Sequence, residues 1–188
     1  MIWRTHVVSS EAVALPLFYL ATPTSEAFAQ YLPIVAGAVA FGAILPDIDD
    51  PRSRVGRKLL PIAIVVSMLF RHRTATHSLV IWGALLFIAL ALWLFIPSIP
   101  TTALLIAIGV TGGSMLHILG DLMTTAPVRG ALYPVSEKLF WILPRFMRFN
   151  VGSGLEQVYF LLFAIALGAF GMFALGDWIK AFDLSFGR

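Results

Sequence analysis

The stretch IWGALLFIALALWLFI (residues 81–96) has no charged side chain over its whole length, and it decides the fold class. With the two residues before it, it forms an apolar segment (residues 79–96) long enough to cross a bilayer as a helix. A second apolar segment, residues 103–119, follows the connection PSIPTT, whose prolines end a helix and suit a tight turn. The two segments predict a transmembrane helical hairpin.

The composition of the chain also indicates a membrane protein. Of the 188 residues, 59% are hydrophobic and only 12% are charged, whereas about a quarter of the residues in soluble domains are charged. No cysteine is present, which excludes disulfides and thiolate metal sites. The isoelectric point near 9.6 suits nucleic-acid binding, but the basic residues flank apolar segments, as topology signals do. We therefore expect no nucleic-acid partner.

Three more segments complete the predicted bundle. Residues 155–175 are apolar throughout, and residues 31–45 are rich in glycine and alanine, which favours close helix packing in lipid. Residues 7–21 are interrupted by a charge and a proline, so we interpret them as a retained span and not as a cleaved signal. Residues 59–70 are too short to span and are predicted to lie in the interface or to re-enter.

The predicted fold is thus an all-α, polytopic membrane helical bundle of about five spans plus a short interfacial helix, formed by one domain over residues 1–188. The basic residues set its orientation, because this threading places eleven of the thirteen on one face. These are Arg4, Arg52, Arg54, Arg57, Lys58, Arg71, Arg73, Arg129, Lys138, Arg145 and Arg148. Only Lys180 and Arg188 lie opposite, so the positive-inside rule makes the basic face cytoplasmic.

All four histidines fall at predicted helix ends on this face, together with several carboxylates. His117 and Asp121 are four residues apart on a helix, so both can point at one ion. Asp47 and Asp49 follow a proline, and in an extended turn one carboxylate faces an ion while the other turns away or supports it. Imidazole and carboxylate groups are ordinary ligands of zinc and other first-row divalent ions.

The stretch RHRTATHSLV (residues 71–80) carries the two central histidines. His72 and His77 would lie about 140° apart on a helix, since they are five residues apart. They converge only if this stretch is a turn, with Thr76 or Ser78 capping the helix that begins near His77.

Each ionisable residue also has a structural interpretation. A single histidine at a helix end is more often a hydrogen-bonded structural group, Asp50 before proline suits a turn, and Glu156 suits the first turn of a helix. The basic residues also serve as topology determinants at the headgroups. However, an ionisable group at membrane depth costs about 2.5–3.5 kcal/mol or more and marks a functional site. The conjunction of these groups on one face therefore favours a metal site.

The ordered motifs resemble those of a known family. They are His6, LPDIDDPRSRVGRKL, HRTATHSL, LHILGDLMT, YP and GSGLEQ, between residue 5 and about residue 160. Their combination is similar to the YdjM-like family of LexA-regulated, membrane-bound, metal-dependent hydrolases. The resemblance implies an inner-membrane hydrolase. The stretch TTAPVRG departs from the Thr-Pro-x-Gly arrangement of that family, which affects the loop after Asp121. HILGD is also similar to the His-x-x-x-Asp pairs of zinc-dependent phospholipase C, which points to phosphoester chemistry by analogy.

Together these residues predict a dinuclear metal site at the boundary between the prokaryotic inner membrane and the cytoplasm. Eight candidate ligands exceed the four positions of one zinc ion: His6, Asp47, Asp49, His72, His77, His117, Asp121 and Glu156. Asp49 and Glu156 are also the candidates for a general base or for a supporting carboxylate. Arg52, Arg71 and Arg73 are the candidates for binding a substrate phosphate or headgroup.

The expected cofactor is a pair of divalent ions, zinc first, with manganese and magnesium as alternatives. Such ions would activate a water to cleave a phosphoester of a membrane lipid or of a lipid-linked substrate. The alternative is a non-enzymatic metal-binding membrane protein, either an ion transporter or a metal-stabilised scaffold. Ligands at helix ends near one surface favour the enzyme, because transporter sites usually lie near the bilayer midplane.

Overall fold

The computed structural model describes residues 1–69 and 73–186, and this part of the chain is helical with no strand. Its α-helices are α1 (Trp3–Ala21), α2 (Ser25–Gly42), α3 (Arg54–Lys58), α4 (Leu60–Leu69), α5 (Leu79–Phe95), α6 (Thr101–Asp121) and α7 (Gly154–Phe186). Three short 3-10 helices cover Leu45–Asp49, Ala75–His77 and Arg145–Met147. The predicted all-α membrane bundle is confirmed.

Three helical segments are long and apolar enough to cross a bilayer: Ser25–Asp49, Thr101–Asp121 and Gly154–Asp177. The helix Leu79–Phe95 is apolar but shorter, and Leu60–Leu69 is shorter still. Ten residues of α-helix are about 15 Å long, half of the hydrocarbon thickness of about 30 Å. The helix Leu60–Leu69 is therefore too short to span the bilayer, as predicted. The count of five spans stays a prediction.

The first two helices begin earlier than the predicted spans. The α1 helix starts four residues before position 7, and α2 starts six residues before position 31. Both continue through an internal proline, Pro16 and Pro33, which membrane helices tolerate. The start of α2 is fixed by Thr24, whose hydroxyl accepts a hydrogen bond from the Ala27 N–H.

The α6 helix is central, since it packs against α1, α2 and α5. Its contact with α2 is backbone against backbone: a Cβ on Gly113 would lie 2.3 Å from the Val39 carbonyl oxygen, and one on Gly42 would lie 2.2 Å from that of Val110. The Ser114 hydroxyl donates across the interface to the Gly42 carbonyl at 3.1 Å. Small residues thus bring the two helices together, as the glycine-rich segment predicts.

Five helix ends meet at one end of the bundle, which we call the site end. They are the carboxyl ends of α2 and α6 and the amino ends of α1, α5 and α7. The Ile2 N–H at the start of α1 donates to Glu156 of α7, and His117 of α6 bonds to Ala43 after α2. His77, just before α5, faces Asp121. The directions in which these five helices run agree with the predicted threading, which places the same five ends on one face of the membrane.

The loop over residues 122–153 covers the segment that precedes α5. The Gly130 N–H donates to the Arg73 carbonyl, and a Cβ on Gly130 would lie 2.4 Å from the Thr74 carbonyl oxygen, so this crossing requires glycine. The Leu79 N–H donates to the Ala131 carbonyl, and the Ser78 hydroxyl donates to that of Tyr133. The stretch TTAPVRG is therefore a docked loop that fixes the approach to α5.

Candidate metal centre

Four side chains bring one donor atom each into a common space at the site end. His117 Nε2 lies 3.6 Å from Asp47 Oδ1 and 3.9 Å from Asp121 Oδ2. His77 Nε2 lies 3.8 Å from each of the same two oxygens. Two imidazole nitrogens and two carboxylate oxygens thus surround one point. These distances also confirm that His117 and Asp121 share a helix face.

The ring of His117 is held by the chain itself. Its Nδ1–H donates to the Ala43 carbonyl oxygen at 2.7 Å, so the lone pair of Nε2 is turned to the carboxylates. Nε2 is buried and has no hydrogen-bond partner among the residues that the structure describes. A second-sphere acceptor that fixes the tautomer is the usual arrangement behind a metal-binding histidine.

The ring of His77 is oriented by a hydroxyl and a carboxylate. The Thr76 hydroxyl donates to Asp49 Oδ2 at 2.6 Å and lies 3.1 Å from His77 Nδ1. Because its proton goes to Asp49, its oxygen accepts from the Nδ1–H of His77. The Nε2 of His77 is thereby directed at Asp47. Asp49 is almost completely buried and stands behind the histidine.

The two carboxylates of LPDID therefore diverge as predicted, although the conformation differs from the prediction. Residues Leu45–Asp49 form a 3-10 helix and not an extended turn. Since a 3-10 helix has three residues per turn, positions two apart still point in different directions. Asp47 faces the donors and Asp49 faces away, while Asp50 accepts a hydrogen bond from the Arg52 N–H, as a turn residue does.

A second group of donors lies next to the first. His6, His117 and Asp121 each offer an atom within 4.8 Å of the others, as do Asp47, His77 and His117. The His6 and His117 rings are stacked, with centroids 3.7 Å apart. The two carboxylate oxygens of Asp121 point to different groups. Oδ1 lies 3.2 Å from His6 Nε2, and Oδ2 faces the group that contains Asp47 and His77. The two groups therefore share His117 and Asp121.

Burial influences the protonation of His6, which precedes the apolar stretch that starts at residue 7. Loss of hydration and, next, the neighbouring His117 lower the pKa of His6 well below its usual value. The imidazole is therefore neutral at pH 7. Only a neutral imidazole has the lone pair that a metal ion needs.

Arg73 has a constrained backbone at the edge of the centre. Its φ of 61° lies in the left-handed region, which costs a non-glycine residue on the order of 1 kcal/mol or more and is typical of functional sites. Its N–H donates to Asp49 Oδ2 at 2.9 Å, and its guanidinium Nη2 lies 3.1 Å from Asp121 Oδ2. This strained conformation thus places a cation beside the donors.

Among the described residues of the centre, Asp47 and Arg73 are the ones in contact with solvent. The side chains of His6, His77, His117 and Asp121 are at most 1% exposed, whereas Asp47 is 28% exposed and Arg73 is 23% exposed. A polar molecule from outside the bundle therefore meets Asp47 and Arg73 first.

Other predicted site residues lie elsewhere. Glu156 is buried, but its Oε1 accepts from the Ile2 N–H and its Oε2 accepts from the Gly152 N–H, each at 2.6 Å. It belongs to neither donor group among the described residues. The Arg52 side chain is 94% exposed and lies beside Asp50.

His72 and Arg71 lie outside the described residues, so their predicted roles as ligand and as substrate-binding residue stay predictions. The turn before α5 is present from Arg73 onward, and Ser78 is its capping residue, since its hydroxyl accepts from the Ile81 N–H at 3.1 Å. Of the two caps that the sequence allows, Ser78 is the one used.

Two supporting groups were not found by reasoning from the sequence. The Ala43 carbonyl orients His117, and no side-chain pattern identifies a backbone oxygen. The sequence predicts Thr76 only as an alternative helix cap, whereas in the structure its hydroxyl bonds to Asp49 and contacts His77. A hydroxyl directly before a candidate histidine was the available signal for Thr76.

The donor set fits a divalent ion. Buried polar atoms without partners cost about 1–3 kcal/mol each, and His117 Nε2 is such an atom. Imidazole nitrogen and carboxylate oxygen donors together suit zinc and other first-row divalent ions. The fold and this cluster together define a polytopic membrane protein with a potential metal-binding His/Asp centre at one end of its helical bundle.

Comparison with known proteins gives the family. The family described as YdjM inner membrane protein matches residues 1–181, and the chain therefore belongs to it. YvsG of Bacillus subtilis, named an uncharacterized protein, is 33% identical over 125 residues, which are 66% of this chain and 70% of YvsG. The inner membrane protein YdjM of Escherichia coli is 40% identical over 88 residues, 45% of this chain and 42% of YdjM. No solved structure matches the chain.

Proposed function

We propose that this protein is a metal-dependent hydrolase of the inner membrane that cleaves a phosphoester of a lipid or of a lipid-linked substrate. The observation that carries the proposal is the convergence of His77, His117, Asp47 and Asp121 on one point in a membrane protein, with donor separations of 3.6–3.9 Å. Ionisable groups are costly in such a setting and are retained where they do chemistry.

The arrangement of donors favours two ions over one. Asp121 turns one oxygen to each donor group, as a bridging carboxylate does. A divalent ion bound here would supply a nucleophilic water at neutral pH and would offset charge that develops on the phosphoester oxygens.

The chain supplies the remaining functions around the ions. His117 and His77 are held by Ala43 and by Thr76 with Asp49, so the donors are preorganised before an ion binds. Arg73 lies at the open side of the centre, where its forked donors suit phosphate oxygens. We assign Asp49 and Glu156 positioning roles, because their oxygens hold Thr76 and backbone N–H groups.

We place the centre on the cytoplasmic side. The support is the distribution of basic residues, since Arg52, Arg54, Arg57 and Lys58 directly follow the carboxylates of LPDIDD. Arg54 also stacks on Trp3, with its guanidinium carbon 3.9 Å from the ring centroid. Aromatic and basic residues together are typical of the interfacial region of a membrane protein.

A matched pair within LPDIDD tests the metal centre. Asp47→Asn removes a proposed ligand, whereas Asp50→Asn changes an outer carboxylate three residues away, which accepts from the Arg52 N–H and pairs with the exposed Arg52 side chain. With protein purified in detergent, we expect bound zinc or manganese, measured by elemental analysis, to fall at least about tenfold in Asp47→Asn and to stay at the wild-type level in Asp50→Asn.

Hydrolysis is measured on the same samples with a fluorescent phospholipid and added zinc or manganese. Wild type and Asp50→Asn should release the headgroup, whereas Asp47→Asn and His117→Ala should not. Full turnover by His117→Ala would remove the catalytic assignment.

One observation favours the scaffold alternative: four protein donors are enough to close the shell of a structural zinc ion. In that case, a chelator would lower the melting temperature and added zinc would restore it, while wild-type protein would hydrolyse no lipid. A transporter would instead carry the ion into proteoliposomes, and His117→Ala would stop the flux.

A further inference from the structure

A cavity of about 290 Å³ lies between the amino ends of α1 and α7, and we call it the α1–α7 cavity. Its volume is at the lower end of the range for ligand pockets, about 300–1,000 Å³, so it suits a small chemical group. None of the described ligand candidates of the metal centre lines it. The residues that line it are Ile2, Trp3, Arg4, Thr5, Gln157 and Phe160.

The start of α1 presents hydrogen-bond donors to this cavity. The cap residue Ile2 makes no side-chain hydrogen bond, and the N–H groups of Trp3 and Arg4 have no partner among the described residues. Free N–H groups at the start of a helix carry a partial positive charge, and the exposed Arg4 adds a full one. No carboxylate of the described chain lines the cavity. The lining therefore favours an anion.

Thr5 gives a second and independent indication of a ligand. It lines the cavity and is only 3% exposed, and its hydroxyl makes no hydrogen bond to any described residue. By contrast, the hydroxyls of Thr22 and Thr111 donate to the carbonyl four residues earlier, as threonines in helices commonly do. Thr5 Oγ1 also keeps accessible surface, unlike the enclosed and unpartnered hydroxyl of Ser10. A nearly buried hydroxyl is therefore available to a ligand in the cavity.

The charges around the cavity are positive on balance. Glu156 lies next to its lining, but this carboxylate is buried and already accepts from the N–H groups of Ile2 and Gly152. Two guanidinium groups lie near the Trp3 ring, that of Arg54 at 3.9 Å and that of Arg4 at 5.6 Å from its centroid. Two cations therefore outweigh one carboxylate whose oxygens are occupied.

We propose that the α1–α7 cavity binds a phosphate group, carried either by a membrane lipid or by a soluble phosphate ester. Two N–H groups, one guanidinium and the Thr5 hydroxyl offer more donors than the two oxygens of a carboxylate need, whereas the several oxygens of a phosphate can accept from all of them. Ile2 and Phe160 line the same cavity, so an apolar part of the ligand can lie beside its phosphate. The inference is independent of the proposed hydrolase function, since it uses no metal ligand.

The charge is tested by measuring lipid binding to the full-length protein in detergent by native mass spectrometry. A chelator is present, so that no lipid is held through a metal ion. The lipid is dioleoylphosphatidylglycerol, and dioleoylglycerol, which has the same chains and no phosphate, is the reference. We expect the affinity for the phosphatidylglycerol to fall about tenfold in Arg4→Gln, which removes a charge-assisted hydrogen bond. It should stay unchanged in Arg129→Gln, which removes another exposed charge that does not line the cavity.

The hydroxyl is tested by Thr5→Val, which keeps the shape of the side chain. We expect the affinity for the phosphatidylglycerol to fall about fivefold, because one hydrogen bond to the phosphate is lost. The control is Thr111→Val, whose hydroxyl bonds within its own helix. An unchanged melting temperature of Thr5→Val shows that the loss is one of binding and not of folding.

Equal affinities of Arg4→Gln and Arg129→Gln would overturn the proposal, because the lipid would then respond only to net charge. Binding of dioleoylglycerol as strong as that of the phosphatidylglycerol would overturn it as well, because the phosphate would not be recognised. Added glycerol 3-phosphate distinguishes the two sources. Displacement of the lipid supports a site for soluble phosphate esters, and retention of the lipid supports a site for phospholipids.

Discussion

Helices α6 and α7 are both long and apolar enough to span a membrane, yet they occupy different environments. In α6, 44% of the most apolar window is buried inside the bundle, compared with 6% in α7. The α6 helix carries glycines, a serine and two members of the candidate metal centre, whereas α7 exposes large side chains such as Leu162 and Met172 to the lipid. Hydropathy identifies both helices as spans, but small residues identify the one that builds the site.

The largest expected effect comes from overpacking the interface between α6 and α2. In Gly113→Leu the new side chain would start 2.3 Å from the Val39 carbonyl oxygen, and a backbone atom cannot yield as a side chain does. We expect a loss of about 3 kcal/mol or more, measured by unfolding in mixed detergent. Gly168→Leu on α7, where nothing lies within 4 Å, should be neutral. A similar loss in both variants would contradict the difference between the two helices.

A smaller effect should follow from loss of the hydroxyl behind His77. Thr76→Val keeps the shape but removes the hydrogen bond to Asp49, so zinc affinity should fall about 10- to 100-fold, as measured by competition with a chelator. The control is Thr111→Val in α6, whose hydroxyl bonds only within its own helix. Unchanged affinity in Thr76→Val would show that Thr76 does not orient the ligand.

The smallest of the three effects concerns Glu156, a polar contact between α7 and the site end. Glu156→Gln weakens the hydrogen bonds from Ile2 and Gly152, each of which contributes about 1.5–3 kcal/mol at most as a bond to a charged group. We expect a loss of about 1–2 kcal/mol in stability, measured by thermal unfolding. Metal content should stay within a factor of two, whereas its loss would restore Glu156 as a ligand.

The sequence predicted the fold class and most of the candidate centre, because both depend on local patterns. Uninterrupted apolar runs indicate spans, and the i, i+4 spacing of His117 and Asp121 is sufficient to place them on one face. The approach of His6 and Asp47 to that pair depends on how α1 and α2 pack against α6. That packing follows from glycine contacts such as Gly113 with Val39, which spacing along the chain does not reveal.

Glu156 and Thr76 illustrate what the sequence left open. A carboxylate at a helix start suits a ligand, a dipole partner or a backbone anchor equally well, and only the positions of Ile2 and Gly152 distinguish these roles. The sequence allows either Thr76 or Ser78 as the cap of α5, and in the structure Ser78 is the cap. Which hydroxyl caps a helix depends on the turn before it, and the turn here is shaped by the left-handed Arg73.

The meeting of five helix ends has a consequence for biosynthesis. The donors of the centre are translated between His6 and Asp121, so at 5–20 residues per second about 6–23 s separate the first from the last. During that interval α1 and α2 enter the membrane with His6 and Asp47 still lacking their partners. An ion bound at the proposed centre would therefore stabilise the chain only after α6 has been translated, and it would not assist the insertion of α1 and α2.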